Sequence, residues 1–129
     1  MLDKHNPETI MAPFNNAYHH CVVIPPNARI AYLSGQVGLD REGNLPDTPE
    51  AQAEMAWSNV MEALKAAGMG AENIVKINAY LLDMDDYPVF AAARTKFLGD
   101  TRPASTAVLV KGLVKPEWRF EIDAVAAAE

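Results

Sequence analysis

The last strand-like segment of the chain, RFEIDAVA, carries side chains that can transfer protons. Arg119, Glu121 and Asp123 alternate there with apolar residues. A carboxylate can act as a general acid and base, and a neighbouring arginine can pair with it or hold an anionic ligand. The same alternation is typical of the solvent-exposed face of any half-buried sheet. The pattern alone therefore leaves both interpretations of Glu121 open.

Two earlier segments, AYHHCVVI and YLSGQVG, supply further polar candidates. His20 has the same strand parity as Tyr18, so it can enter the same cleft as a donor or a base. The alternative is that His19 and His20 are a partly exposed pair on a strand. Ser34 and Gly35 either contribute to a site or simply end a strand in a turn.

The sequence shows no pattern typical of a metal site or of a disulfide bond. The single cysteine, Cys21, excludes an internal disulfide and is expected to be a buried small hydrophobe. The three histidines show no metal-ligand spacing, and Asp83, Asp85 and Asp86 suit a helix N-terminus better than a metal site. We therefore expect no metal and no cofactor.

The elements that must position these residues follow from periodicity. The first helix is expected to begin after Thr48, with Pro49 in its first turn, and to stop at Gly68. The second is expected between Asp85 as its cap and Gly99. Strand patterns occupy residues 19–25, 28–35, 73–83, 105–114 and 117–126, and the first two of these segments are expected to form a hairpin.

The element order β-β-α-β-α-β-β favours an α+β fold in one domain spanning residues 1–129. The economical arrangement is one mostly antiparallel mixed sheet with both helices packed on one face. The other face would then be bare, although its strands carry apolar residues. We therefore expect this face to be buried in a homo-oligomer.

Composition and charge exclude several classes of protein. The 129 residues are 50% hydrophobic and 22% charged, which is ordinary globular composition. A net charge of −6 argues against nucleic acid as a partner. No apolar run reaches the roughly 20 residues of a membrane span, so no membrane partner is expected. The N-terminal residues do not resemble a secretory signal, and we predict a cytoplasmic protein.

Six segments together resemble one family in their order and spacing. They are AYHHCVVI, YLSGQVG, EMAWSNVMEALKAAG, IVKINAYLLDMDDYPVF, RPASTAV and RFEIDAVA. Over residues 12–126 the chain is similar to the reactive-intermediate deaminase family, also called Rid, YjgF-like or endoribonuclease L-PSP proteins. The resemblance implies a chorismate-mutase-like fold and a homotrimer with small-molecule clefts between subunits. It also implies hydrolysis of reactive enamines and imines to 2-keto acids and ammonia.

The resemblance assigns roles to individual residues. Tyr18 matches the cleft tyrosine of the family, Ser34 and Gly35 match its Ser-Gly pair, and Glu121 matches its terminal-strand glutamate. Glu121 would then handle the proton of the attacking water. The full set of expected substrate-binding residues is Tyr18, His20, Ser34, Gly35, Phe90, Ser105, Ala107 and Arg119.

The chain departs from the deaminating members of the family at three cleft positions. Ser105 replaces an arginine, Ala107 replaces a cysteine, and Phe90 stands where those members have an asparagine. A guanidinium binds the carboxylate of an imino acid through two parallel donors, whereas Ser105 offers one uncharged hydroxyl. Losing one partner of a buried charged pair costs roughly 2–5 kcal/mol. We therefore expect weak or no activity on the usual 2-imino acids, and a more apolar cleft because of Phe90.

Two other cations could replace the missing arginine. Arg102 lies three positions before Ser105, so strand parity directs it to the opposite face. Arg119 shares a face with Glu121 and could pair with it or reach a ligand.

Three functions are compatible with these observations. The first is a divergent Rid-type hydrolase acting on a small metabolite, with Glu121 as its acid and base. The second is a non-catalytic trimer that binds a small ligand. The third is an endoribonuclease, which is disfavoured by the acidic charge and by the absence of a basic stripe.

Overall fold

A computed structural model describes residues 1–129 and contains six strands and two helices. The strands are β1 (Asp3–His5), β2 (Cys21–Val23), β3 (Arg29–Gln36), β4 (Ile74–Leu81), β5 (Ala104–Leu109) and β6 (Phe120–Ala128), and the helices are α1 (Pro49–Ala66) and α2 (Tyr87–Leu98). Four strands form the main sheet in the order β3-β6-β4-β5. The β3/β6 and β6/β4 pairs are antiparallel, and the β4/β5 pair is parallel. The sheet is therefore mixed and mostly antiparallel, as predicted.

The predicted hairpin between the first two strand-like segments is wrong. β2 pairs with β1 in a separate two-stranded sheet, and β3 pairs with β6 instead. Pro25 and Pro26 have no N–H to donate to a ladder, and Asn27 adopts a positive φ of 65°. These three residues redirect the chain and do not close a tight turn between paired strands.

Both helices begin and end with recognisable local signals. The Thr48 hydroxyl accepts a hydrogen bond of 3.1 Å from the backbone N–H of Ala51, and α1 ends before Gly68, whose φ is +70°. A short 3₁₀ turn precedes α2, and the side chain of Asp83 accepts a hydrogen bond of 2.9 Å from the backbone N–H of Asp85. Asp83 therefore caps the 3₁₀ turn that leads into α2, and Asp85, the predicted cap, is the donor in this hydrogen bond.

The hydrophobic core lies between one face of the sheet and the two helices. It includes Trp57, Val60 and Leu64 from α1, Phe90 from α2, and Ile77, Leu81, Phe120 and Ile122 from the sheet. The alternate residues of β4 and β6 are buried because period-2 strands present every second side chain to this face. Burial of these large apolar side chains fixes which face of each strand looks toward the helices.

The opposite face of the sheet is not covered by either helix, and it is called the open face below. Tyr32 is 80% exposed there, and Ile30 is 49% exposed. The central strands contribute polar side chains to the same face, including Asn78, Tyr80 and Glu121. Neither helix is long and apolar enough to cross a membrane.

Candidate functional site

Glu121 lies on the open face against an irregularity in β3. The register between β3 and β6 shifts between Leu33 and Gln36, and Ser34 and Gly35 occupy this interval and are exposed. A Cβ added at Gly35 would stand 2.2 Å from Oε2 of Glu121 and 2.8 Å from its Cδ. Glycine is thus required at this position for the carboxylate to lie directly over the strand. The structure therefore brings together two of the predicted site residues, Gly35 and Glu121.

A hydrogen-bonded network centred on Asp123 lies beside Glu121 on the same face, where Tyr80 is the strand partner of Glu121. Asn78 donates to Oδ1 of Asp123 over 2.8 Å, and the Tyr80 hydroxyl donates to Oδ2 over 2.9 Å. The hydrogen bond to Asp123 raises the pKa of Tyr80, with smaller contributions from burial and from the charges of Asp123 and Glu121. Asn78 and Tyr80 were missed by the sequence analysis. Their alternation in INAYL, opposite EIDAV, is the signal that could have found them.

A second group of predicted residues lies at the edge of the sheet, beside β5. The Tyr18 hydroxyl accepts a hydrogen bond of 3.2 Å from the backbone N–H of Phe14. The ring of His20 stands edge-on to Tyr18, with 5.6 Å between centroids, and its Nε2 lies 2.7 Å from the carbonyl oxygen of Met11. The backbone N–H of His19 donates to the Pro103 carbonyl over 3.1 Å. This segment therefore runs beside the start of β5 in irregular structure and not in the predicted strand.

Ser105 and Ala107 lie on the helix side of β5. Ser105 is the strand partner of Ile77, and Ala107 is the partner of Ala79, both of which face the core. Side chains of directly paired residues share a face of the sheet. No helix covers this part of the edge strand, so Ala107 is exposed and borders a groove beside the start of α2.

Phe90 does not line a cleft, and the prediction that it does is wrong. Its side chain is 1% exposed and packs on Trp57 with 5.7 Å between ring centroids. The helical period that the sequence shows is correct, but it places Phe90 on the buried face of α2. Its apolar character therefore belongs to the core and not to a ligand surface.

Arg119 is paired with Asp86 and not with Glu121. Its Nε and Nη2 donate to the two carboxylate oxygens of Asp86, both over 2.9 Å. Asp86 is only 4% exposed, and this hydrogen bond raises the pKa of Arg119 further. The strand begins at Phe120, so the parity argument does not extend back to Arg119. Of the two roles that strand parity allowed for Arg119, pairing with Glu121 is therefore absent from the structure.

Arg102 is occupied by the backbone. Its Nε donates to the carbonyl of Asn16 over 3.0 Å, and its Nη1 donates to the carbonyls of Gly99 and Thr101. It closes the turn between α2 and β5 and does not replace the family arginine.

The predicted site residues thus form two groups within one chain. Glu121 and Gly35 lie on the open face, whereas Ser105 and Ala107 lie on the helix side, with β4 between the strands that carry them. Strands are about 4.8 Å apart, and the two groups also point to opposite sides of the sheet. One chain alone therefore does not bring them together.

Comparison with known proteins identifies the family. The model of the family described as Endoribonuclease L-PSP matches residues 9–128. A Mus musculus protein named 2-iminobutanoate/2-iminopropanoate deaminase is 36% identical over 100 residues, which are 76% of this chain and 73% of that protein. The Schizosaccharomyces pombe protein mmf2, named as mitochondrial, is 32% identical over 101 residues, 76% of this chain and 79% of that protein. Cytoplasmic location therefore stays a prediction.

Solved structures share the fold. A Rid-family protein, YyfB from Yersinia pestis, superimposes with a TM-score of 0.87 at 24% identity and covers 98% of both chains. RidA from Psychrobacter sp. PAMC 21119 superimposes with a TM-score of 0.73 at 31% identity, over 86% of this chain and 88% of that one. With its α+β architecture and these relatives, the chain belongs to the Rid, or YjgF-like, family of imine and enamine deaminase-like proteins, the family also described as endoribonuclease L-PSP.

Proposed function

We propose that the protein is a divergent Rid-type hydrolase that acts on a C=N bond of a small metabolite in a cleft between two copies of the chain. The observation that carries the proposal is the position of Glu121. Its carboxylate lies on an exposed face, directly over Gly35, and forms no ion pair within the chain. A carboxylate held in this way is free to accept a proton from water and to deliver it to a leaving nitrogen.

The reaction consumes one water for each C=N bond. The water oxygen bonds to the imine carbon while Glu121 takes its proton and passes it to the nitrogen. The hydroxyl proton of the tetrahedral intermediate then moves, again through Glu121, to the same nitrogen as the C–N bond breaks. Ammonia leaves, and the C–O bond becomes the double bond of a carbonyl compound. The named activity of the mouse relative, on 2-iminobutanoate and 2-iminopropanoate, supports this reaction class.

The separation of the two groups of site residues supports assembly into a homotrimer. Tyr32 and Ile30 expose a large apolar area on the open face, which a second copy would cover. In such an assembly Glu121 and Gly35 of one copy face Tyr18 and the β5 edge of its neighbour. The expected particle has about three times the 14.1 kDa mass of one chain, and Tyr32→Asp is expected to dissociate it. Sedimentation at several protein concentrations measures the mass of the wild-type particle and that of the Tyr32→Asp variant.

The test of the chemistry is the decay of an imine generated in place. A threonine dehydratase supplies 2-iminobutanoate, on which a weak rate is expected because Ser105 stands in place of the family arginine. Its disappearance is followed with and without the protein. Acceleration that falls by about 10²–10⁴-fold in Glu121→Gln supports acid–base catalysis. The control is Glu129→Gln, a carboxylate at the exposed C-terminus, which is expected to keep the wild-type rate. Acceleration equal in wild type and Glu121→Gln would contradict the proposal.

Mixed assemblies test whether the cleft is shared. Glu121→Gln and Tyr18→Ala are each expected to be inactive alone, because each removes one half of every cleft. When the two variants are unfolded together and refolded, some clefts combine the intact halves and regain activity. A mixture no more active than its components would show that one chain supplies the whole site.

A second function, a non-catalytic trimer that binds a small ligand, is favoured by Ser105 and Ala107. Neither side chain can replace the charged clamp of the deaminating members. Ser105→Arg combined with Ala107→Cys is expected to increase the rate on 2-iminobutanoate. No imine turnover in either protein, together with saturable ligand binding, would favour the binder.

A further inference from the structure

The groove beside Ala107 has the lining of an apolar binding pocket. It is a cavity of about 420 Å³ between the end of β5 and the start of α2. This size is within the range of small-molecule pockets. Its walls are formed mainly by Phe14, Met84, Tyr87, Pro88, Ala107 and Leu109. Seven of the eight lining residues are hydrophobic, so a group that enters this groove meets hydrocarbon and no charge.

None of the lining residues is basic, and three cations near the sheet, Arg119, Arg102 and Lys76, have partners outside the groove. Arg119 is held by both oxygens of Asp86, and Arg102 is held by backbone carbonyls. The ammonium of Lys76 donates to the Thr106 hydroxyl over 2.7 Å, on the open face and not in the groove. A carboxylate that entered the groove would therefore lose water without gaining a charged donor.

We propose that the cleft takes carboxylate-free imines and enamines that carry an apolar substituent, and that this substituent occupies the groove. The inference rests on the proposed C=N hydrolysis for its reaction, which here yields ammonia and a neutral ketone or aldehyde. Ala107 links the groove to the cleft, because it matches a position of the family site and is also part of the groove wall. The groove then selects substrates by hydrocarbon length and against charge.

Binding of the neutral products tests this inference without turnover. The probes are 2-butanone, 2-pentanone and 4-methyl-2-pentanone, each compared with the 2-oxo acid that has the same alkyl group. Each added methylene is expected to tighten ketone binding by about fourfold, and the carboxylate to weaken binding by at least about tenfold. A 2-oxo acid that binds as tightly as its ketone would overturn the inference.

Methionine methyl signals in NMR spectra locate the bound probe. Met84 lines the groove and is 69% exposed, whereas Met69 is 8% exposed in the core and serves as an internal reference. The Met84 signal, assigned by its loss in Met84→Leu, is expected to shift with ketone while that of Met69 stays in place. Saturable ketone binding that leaves Met84 unmoved would place the site elsewhere.

A substitution that fills the groove tests whether the ketone binds there or at a neighbouring part of β5. Ala107→Leu is expected to weaken binding of 4-methyl-2-pentanone by at least about tenfold, and the exposure of Ala107 leaves room for this change without unfolding. Thr106→Val, one residue away on the other face of β5, is expected to change binding by less than about twofold. Equal effects of the two substitutions would refute the assignment. Because these measurements need no turnover, they hold or fail independently of the Glu121→Gln assay.

Discussion

The ion pair between Arg119 and Asp86 allows a quantitative test of the structure. Arg119→Met keeps much of the apolar stem and removes the guanidinium, which leaves the carboxylate of Asp86 at 4% exposure without its charged partner. Breaking a fully buried pair costs about 3–5 kcal/mol. The Arg119 side chain is 40% exposed, so solvent screens part of this interaction. We therefore expect a loss of about 2–3 kcal/mol in the free energy of unfolding.

The chain offers a matched control at its surface. Lys96 and Glu54 lie 2.7 Å apart, with side-chain exposures of 62% and 47%. Exposed pairs contribute little, so Lys96→Met is expected to cost at most about 0.5 kcal/mol. Urea unfolding measures both variants at one chain concentration, since association changes apparent stability.

A compensating substitution identifies the cause of the destabilisation. Arg119→Met combined with Asp86→Leu removes the unpaired carboxylate and is expected to regain most of the loss. If Arg119→Met cost no more than Lys96→Met, the buried pair would contribute no more than a surface pair. If the double variant were no more stable than the single one, an unpaired charge would not explain the loss. Either result would refute this reasoning.

Three further predictions concern single residues. Gly35→Ala is expected to displace Glu121, because the new Cβ would lie 2.2 Å from Oε2. Any Glu121-dependent rate should then fall by about 10²-fold, while the free energy of unfolding in urea changes by less than about 1 kcal/mol. A wild-type rate in this variant would contradict the prediction. Phe90→Ala is expected to lower the free energy of unfolding in urea by about 3–5 kcal/mol, because the side chain is 1% exposed. A loss below about 1 kcal/mol would exclude a core position for Phe90. The pKa of Tyr80 in the folded protein lies above its unfolded-state value, which is near 10. The hydrogen bond from Tyr80 to Asp123 therefore stabilises the fold fully below about pH 10, and this stabilisation is lost as pH rises through the folded-state pKa. The stability difference between wild type and Tyr80→Phe, measured by urea unfolding, should therefore be constant up to about pH 9 and shrink above about pH 10, and a difference that grew would reverse the sign of this coupling.

Local physical rules made much of the fold predictable from the sequence. The Thr48 cap, the period of α1 and its end before Gly68 depend on contacts within a few residues. The alternation in β4 and β6 depends on period-2 burial against one core. The partners of β2 and β3 were not predictable in this way, because a pattern shows that a strand exists but not which distant strand completes its hydrogen bonds.

For the candidate site, too, the sequence identified residues but not how they lie relative to one another. Sequence pattern and family resemblance selected Glu121 and Gly35 but could not show that the carboxylate lies against the glycine. They placed Arg119 beside Glu121 by strand parity, although the strand begins one residue later. They placed Phe90 in a cleft because a helical period alone does not say which face is buried.

The sequence by itself determined both helices, most strands of the main sheet, the family and the types of side chain available for chemistry. These properties are encoded within short segments, where spacing and residue type act directly. Only the tertiary structure decided that Arg119 belongs to Asp86, that Phe90 belongs to the core, and that the two groups of site residues lie on opposite sides of the sheet. Such relations depend on register and on packing between distant segments, and no local pattern specifies them.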